Sequence, residues 1–107
     1  MTSMKDRQDG FEKKFALDEE ARFKATARRN KLLGLWAAEH IGLSEEHAKA
    51  YAVEVVESDF QEAGDEDVFR KVSADLKAKG ASVSDDMIRK KMAELTVLAR
   101  EQILAEG

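Results

Sequence analysis

Apolar residues recur along most of this chain at intervals of three and four, the period of a helix with one buried face. Ala48, Tyr51, Ala52, Val55 and Val56 follow that spacing, with Phe60 beyond. Val68, Phe69, Val72 and Leu76 do the same, and so do Met87, Ile88, Met92, Leu95, Ala99 and Ile103. Glycines punctuate these runs at Gly42, Gly64, Gly80 and Gly107, where a helix can end in the left-handed conformation. Ser44, Asp65 and Ser84 each stand ahead of acidic residues, and each offers a side-chain oxygen to the orphan N–H groups of a first turn. The pattern predicts helices near 18–41, 45–63, 66–79 and 85–105 and no strands. Short connections favour antiparallel neighbours. The expected fold is all-α, a compact four-helix bundle over residues 18–107 with a flexible N-terminal arm over residues 1–17.

The first helix breaks the pattern. At 100° per residue Ala21, Ala25, Leu32, Leu35 and Trp36 share a stripe, but its bulky members lie in the last third, and Arg28 interrupts the rest. The expectation is a helix docked by its C-terminal part and weakly held before it, with Phe23 pointing away. Gly34 inside the helix costs about 1 kcal/mol relative to alanine, which predicts close approach of a neighbouring backbone. Further upstream, Asp9 and Glu12 have the spacing of a capping box, and Phe11 and Phe15 then fall on one face. Two readings stand for these rings: they cap the bundle core, or they anchor the arm in a partner.

Composition narrows the function. The chain has 107 residues, no cysteine and no proline, so disulfides, thiol catalysis and zinc–thiolate sites are excluded. A reducing cytoplasm fits this composition. No apolar run approaches the roughly 20 residues that span a bilayer, and "MTSMKDRQDG" lacks the apolar stretch of a secretory signal. The net charge of −4 hides a split. Residues 1–31 carry nine Lys/Arg against six Asp/Glu, or +3; residues 32–107 carry nine against sixteen, or −7. A basic arm on an acidic body suits an arm that binds something else, although uneven charge on an ordinary helix surface gives the same count. Seven surplus negative charges on the body disfavour nucleic acid.

Catalytic chemistry is sparse, and no enzyme is expected. His40 and His47 bracket the turn "IGLS" beside Glu39, Glu45 and Glu46, but without the Glu-x-x-His spacing of di-metal bundles; no metal site is predicted. Asp85 and Asp86 are explained by a helix start. No P-loop or dinucleotide fingerprint occurs. The best anion candidate is "ARRNK". Arg29 and Trp36 are seven residues apart, nearly superimposed on the helix face, where a guanidinium beside an indole can hold a phosphate and stack a base. Arg28 and Lys31 add charge, and a solvated basic surface is the plainer alternative.

The run "FEKKFALDEEARFKATARRNKLLGLWAAE", followed by "YAVEVVESDFQEAGDEDV", resembles the zeta-subunit family of ATPase inhibitors found with the F-type ATP synthases of alpha-proteobacteria. Nearly the whole chain takes part, the block from Phe11 to Glu39 being most specific. Leu17 stands where the family pattern has His, and Thr26 where it usually has Glu, which removes the basis for pH sensing at position 17. The resemblance implies a cytoplasmic protein, peripheral on the membrane-bound synthase. Its N-terminal segment enters the catalytic head, among the catalytic subunits and the central shaft, and blocks ATP hydrolysis. It also implies that the bundle binds ADP or ATP as a regulatory ligand, with no cofactor required. The residues expected to act in the arm are Phe11, Lys13, Lys14, Phe15, Leu17 and Arg22, and those for the nucleotide are Arg28, Arg29, Lys31 and Trp36. The alternative is a small ligand- or nucleotide-sensing bundle whose arm is only a disordered tail.

Overall fold

The computed structural model describes residues 18–59 and 65–106. Phe11, Lys13, Lys14, Phe15 and Leu17, the flexible arm over 1–17, and Phe60, Gly64 and Gly107 lie outside the described residues. Four helices make up the fold: α1 (Glu19–Ile41), α2 (Glu45–Ser58), α3 (Glu66–Ala78) and α4 (Asp85–Glu106). α2 ends at Ser58 rather than near 63; Asp59 follows it as the cap, donating its N–H to Val56.

The capping chemistry is largely the expected one. The Asp18 carboxylate accepts from the Ala21 N–H at 2.7 Å. The Ser44 hydroxyl accepts from His47, and the Ser84 hydroxyl from Met87 at 3.1 Å. α1 stops at Gly42, whose φ of 86° is left-handed, and the N–H groups of Gly42 and Leu43 both return to the Ala38 carbonyl. Asp65 departs from expectation: it precedes α3 but gives no side-chain cap. Its carboxylate is committed elsewhere.

α1 is the hub, packed against α2, α3 and α4. The main core joins Leu33, Ala37 and Ala38 of α1 to Tyr51 and Val55 of α2, Val68, Val72 and Leu76 of α3, and Ile88 and Met92 of α4. The periodic faces of α2, α3 and α4 thus meet as their spacing requires, except that Met87 is exposed. The buried face of α1 is rotated from the expected stripe. It runs through Ala25, Arg29, Asn30, Leu33, Gly34, Ala37 and Ala38, leaving Leu32, Leu35 and Trp36 half-buried. Packing a helix onto small residues brings the backbones together, and Gly34 records this. A Cβ at that position would sit 2.7 Å from the Ala52 Cα and 3.2 Å from a Val55 methyl. Only glycine permits that approach of α1 to α2.

Polar ties bridge the helices at the edges of the core. The Tyr51 hydroxyl donates to Asp75 at 2.8 Å, and Lys71 reaches the same carboxylate at 3.1 Å. Burial, then the bond to Asp75, pushes the Tyr51 hydroxyl well above its ordinary pKa. Ser73 donates to Asp85 at 2.8 Å. Arg89 grips Glu66 with both terminal nitrogens while lying 3.7 Å over the Phe69 ring; the stacked, two-point geometry suits a guanidinium and not an ammonium.

Candidate functional site

Beyond the main core, the first half of α1 runs beside the end of α4 with little to bury. Ala25 and Ile103, flanked by Ala21, form a small separate cluster. Helix-forming residues keep α1 intact here, and polar contacts hold it in place. Arg28 reaches the far end of α4, donating to Gln102 at 2.7 Å and to Glu106 at 3.0 Å. The bond to Arg28 holds the Glu106 carboxyl below its ordinary range.

The next residue, Arg29, points about 100° away round the helix and turns inward. It is 4% exposed. Its Nε donates to Asn30 Oδ1 at 2.6 Å, Nη1 to Thr96 Oγ1 at 3.3 Å, and Nη2 to Asp65 Oδ1 at 2.9 Å. A buried charge is tolerated only when paired and hydrogen-bonded, and Arg29 meets both conditions through residues of α1, α4 and the start of α3. This is why Asp65 does not cap its own helix. Asp59 lies within the field of the same guanidinium, yet burial outweighs it and raises the Asp59 carboxyl above its usual value.

The candidate nucleotide residues therefore separate. Trp36 is half-buried, edge-on to His40 with ring centroids 4.8 Å apart, and Lys91 lies 5.9 Å from its centroid. Arg29 is turned toward α3 and α4, so guanidinium and indole do not meet despite their seven-residue spacing. Arg28 and Lys31 stay together and line an open depression with Phe23, Lys24 and Ala27 of α1, Val56 of α2 and the end of α4. Lys31 also borders an apolar groove between α1 and α2, floored by Leu35, Ala48, Val53 and Val56. Phe23, 61% exposed, stands on this side, away from the core. Arg22, the one expected arm residue within the described part, is exposed and faces a third depression, a cleft between α1 and α4.

That cleft was not legible in the sequence. Arg22, Thr26 and Arg29 follow one another at helical spacing, but Thr96 and Arg100, which complete it, lie some seventy positions away. No local motif connects them.

Comparison with known proteins adds three findings. The family described as ATPase inhibitor subunit zeta matches residues 1–102. None of the curated proteins matches the chain. A solved structure, described as the solution NMR structure of a protein, is 50% identical, superposes with a TM-score of 0.71, and covers 80% of this chain and 98% of its own.

Proposed function

The chain belongs to the ATPase inhibitor subunit zeta family, and from that membership we propose that it restrains ATP hydrolysis by wedging its N-terminal segment into the catalytic head of an F-type ATP synthase. The observation that carries this reading is the extent of the family match, residues 1–102, which takes in both the basic leading segment and the bundle. The distribution of packing supports it. The first half of α1, to which the leading segment is joined, is secured by one small apolar cluster and by polar contacts, whereas the second half is built into the main core. A wedge needs a firm base and a leading end that is not consumed by its own fold.

In the proposed mechanism the segment enters a catalytic interface beside the central shaft and prevents the interface from closing and opening in sequence. Phe11 and Phe15 are the apolar anchors, Leu17 adds to them, and Lys13, Lys14 and Arg22 pair with acidic rims. Deleting residues 1–17 is expected to abolish inhibition while the helical circular-dichroism spectrum is kept. Inhibition of ATP hydrolysis at unchanged potency by the shortened protein would refute the wedge.

Adenine nucleotide is the proposed regulatory ligand of the bundle. Arg28 and Lys31 share one open face beside the Phe23 ring, an arrangement that offers cations for phosphate and an aromatic surface for a base. Arg29 contributes to that face only through its field, and Trp36 only if the ligand extends along α1. Titration of ADP against the labelled chain is expected to move the amide signals of Arg28 and Lys31 first. The competing reading, a ligand-sensing bundle without an inhibitory arm, predicts the same shifts but no effect of the protein on ATP hydrolysis.

A further inference from the structure

We infer that the depression at the end of the bundle, between the start of α1 and the end of α4, receives the chain's own leading segment, with the Phe15 ring seated on it. The depression holds about 500 Å³ and is bordered by Asp18 at the head of α1 and by Ala21, Ile103 and Leu104. Its apolar wall is incomplete. Ala25 and Ile103, with Ala21, make only a small cluster, and Leu104 beside them is 40% exposed. One aromatic ring laid over Ala21, Ile103 and Leu104 would close that cluster against water.

The occupant follows from the tether. Asp18, itself on the border, is the residue through which positions 1–17 join the bundle. Its backbone is extended, with φ −69° and ψ 173°, and its carboxylate caps the Ala21 N–H, so Asp18 stands outside the helix and the chain upstream does not extend α1 through it. The depression runs along α1 from Asp18 to Lys24, about 9 Å at 1.5 Å per residue. Phe15 lies three residues upstream of Asp18, a reach of about 10 Å for an extended chain. Charge has the matching sign. Asp18, Glu20 and Glu106 border the depression; Lys24 pairs with Glu20 and Arg28 with Glu106, which leaves the border with a negative surplus, and Lys13 and Lys14 adjoin Phe15 in the sequence. Size also favours a tethered occupant. One enclosed ring buries about 150–250 Å², far below the roughly 1,000 Å² that a separate partner needs. A segment of the same chain starts instead from an effective concentration of about millimolar, so a weak contact suffices to hold it and can be surrendered. While docked, the ring is withheld from any other groove. If the segment is the inhibitory wedge, the docking lowers apparent potency in proportion to the docked fraction; that consequence rests on the wedge reading, and the docking itself does not.

NMR of the free, full chain reads the docking. Contacts between the Phe15 ring protons and the methyl groups of Ile103 and Leu104 are expected, with ring-current shifts of those methyl signals that Phe15→Leu removes. Leu104→Gln alters an exposed side chain and leaves the main core untouched. It and Phe15→Ser should each speed hydrogen exchange of the residue 22–25 amides about tenfold, and the double variant should do no more than either alone, because both break the same contact. Absence of the ring–methyl contacts, or additive effects of the two substitutions, overturns the inference. Contacts that arise only between differently labelled chains also overturn it, since the occupant is then a second copy. With the catalytic head present, Leu104→Gln should inhibit ATP hydrolysis more potently than the unaltered chain, by up to about tenfold; equal potency where the contacts are present would overturn the docking as a regulator. Contacts without inhibition by either chain refute the wedge and leave the docking, and inhibition without contacts does the reverse.

Discussion

The two halves of α1 are the same helix in different surroundings. From Leu33 to Ala38 it is enclosed by apolar side chains of all three other helices, and Gly34 lets α2 approach to backbone contact. From Glu19 to Asn30 it meets chiefly α4, through Ala25 and Ile103 and through the bonds of Arg28 and Arg29. Close-packed apolar surface gives a stability that is large and carries no titrating group. The exposed tie of Arg28 to Glu106 contributes less, and its strength depends on salt and pH; among the described residues, Arg29 is the one buried charge at this end. The difference is one of packing: one end fixes the fold, and the other end is held to the bundle by a small cluster and a few polar bonds, as the proposed function requires.

Substitutions at the two ends should differ accordingly. Leu33→Ala, at a side chain with no exposure, is expected to cost about 3–5 kcal/mol, enough to threaten folding altogether. Gly34→Val should cost about 3 kcal/mol, because the added atoms meet the Ala52 backbone, which cannot yield as a flexible side chain would. Ile103→Ala belongs at the bottom of the range for such truncations, about 2 kcal/mol, since its cluster is small and borders solvent. Urea unfolding of the three variants ranks them; an Ile103→Ala cost equal to that of Leu33→Ala would erase the contrast.

Titration gives the smallest and most local effects. The Glu66, Asp85 and Glu106 carboxyls are held below their ordinary values, chiefly by hydrogen bonds from Arg89, Ser73 and Arg28 respectively. A depressed carboxyl stabilises the fold above its unfolded pKa, about 4, and that contribution fades as pH falls through the lower folded value. Asp59 has the opposite sign. Its folded value is raised, mainly by burial, so its ionised form at neutral pH opposes folding. Asp59→Asn is therefore expected to raise the melting temperature slightly at pH 7 and to lose that advantage in acid. A fall in melting temperature at pH 7 would show that attraction to Arg29 outweighs the burial of Asp59.

Much of this architecture could be read from the chain, and the failures have specific causes. α2, α3 and α4 carry apolar faces with ordinary spacing, and Gly34 announced a close backbone contact because nothing else justifies glycine inside a helix. The face of α1 was misplaced because periodicity counts Arg29 and Asn30 as solvent-facing, whereas a long-range partner, Asp65, lets the guanidinium be buried. The same pairing hid the loss of the Asp65 cap. Arg29 and Trp36 share a helix face in projection, but a flexible guanidinium goes to the nearest carboxylate and hydroxyl, not to the indole. The α1–α4 cleft needed the tertiary fold to bring Arg100 to Arg22.

Hydrogen exchange along α1 tests the central claim most directly. In the free protein the amides of residues 33–41 should exchange only through global opening, while those of residues 22–28 exchange through local opening at rates higher by orders of magnitude. On addition of the catalytic head, protection should rise in the first half of α1 and stay constant in the second. Equal protection along the whole helix, unaltered by the head, would contradict the assignment of a fixed end and a working end.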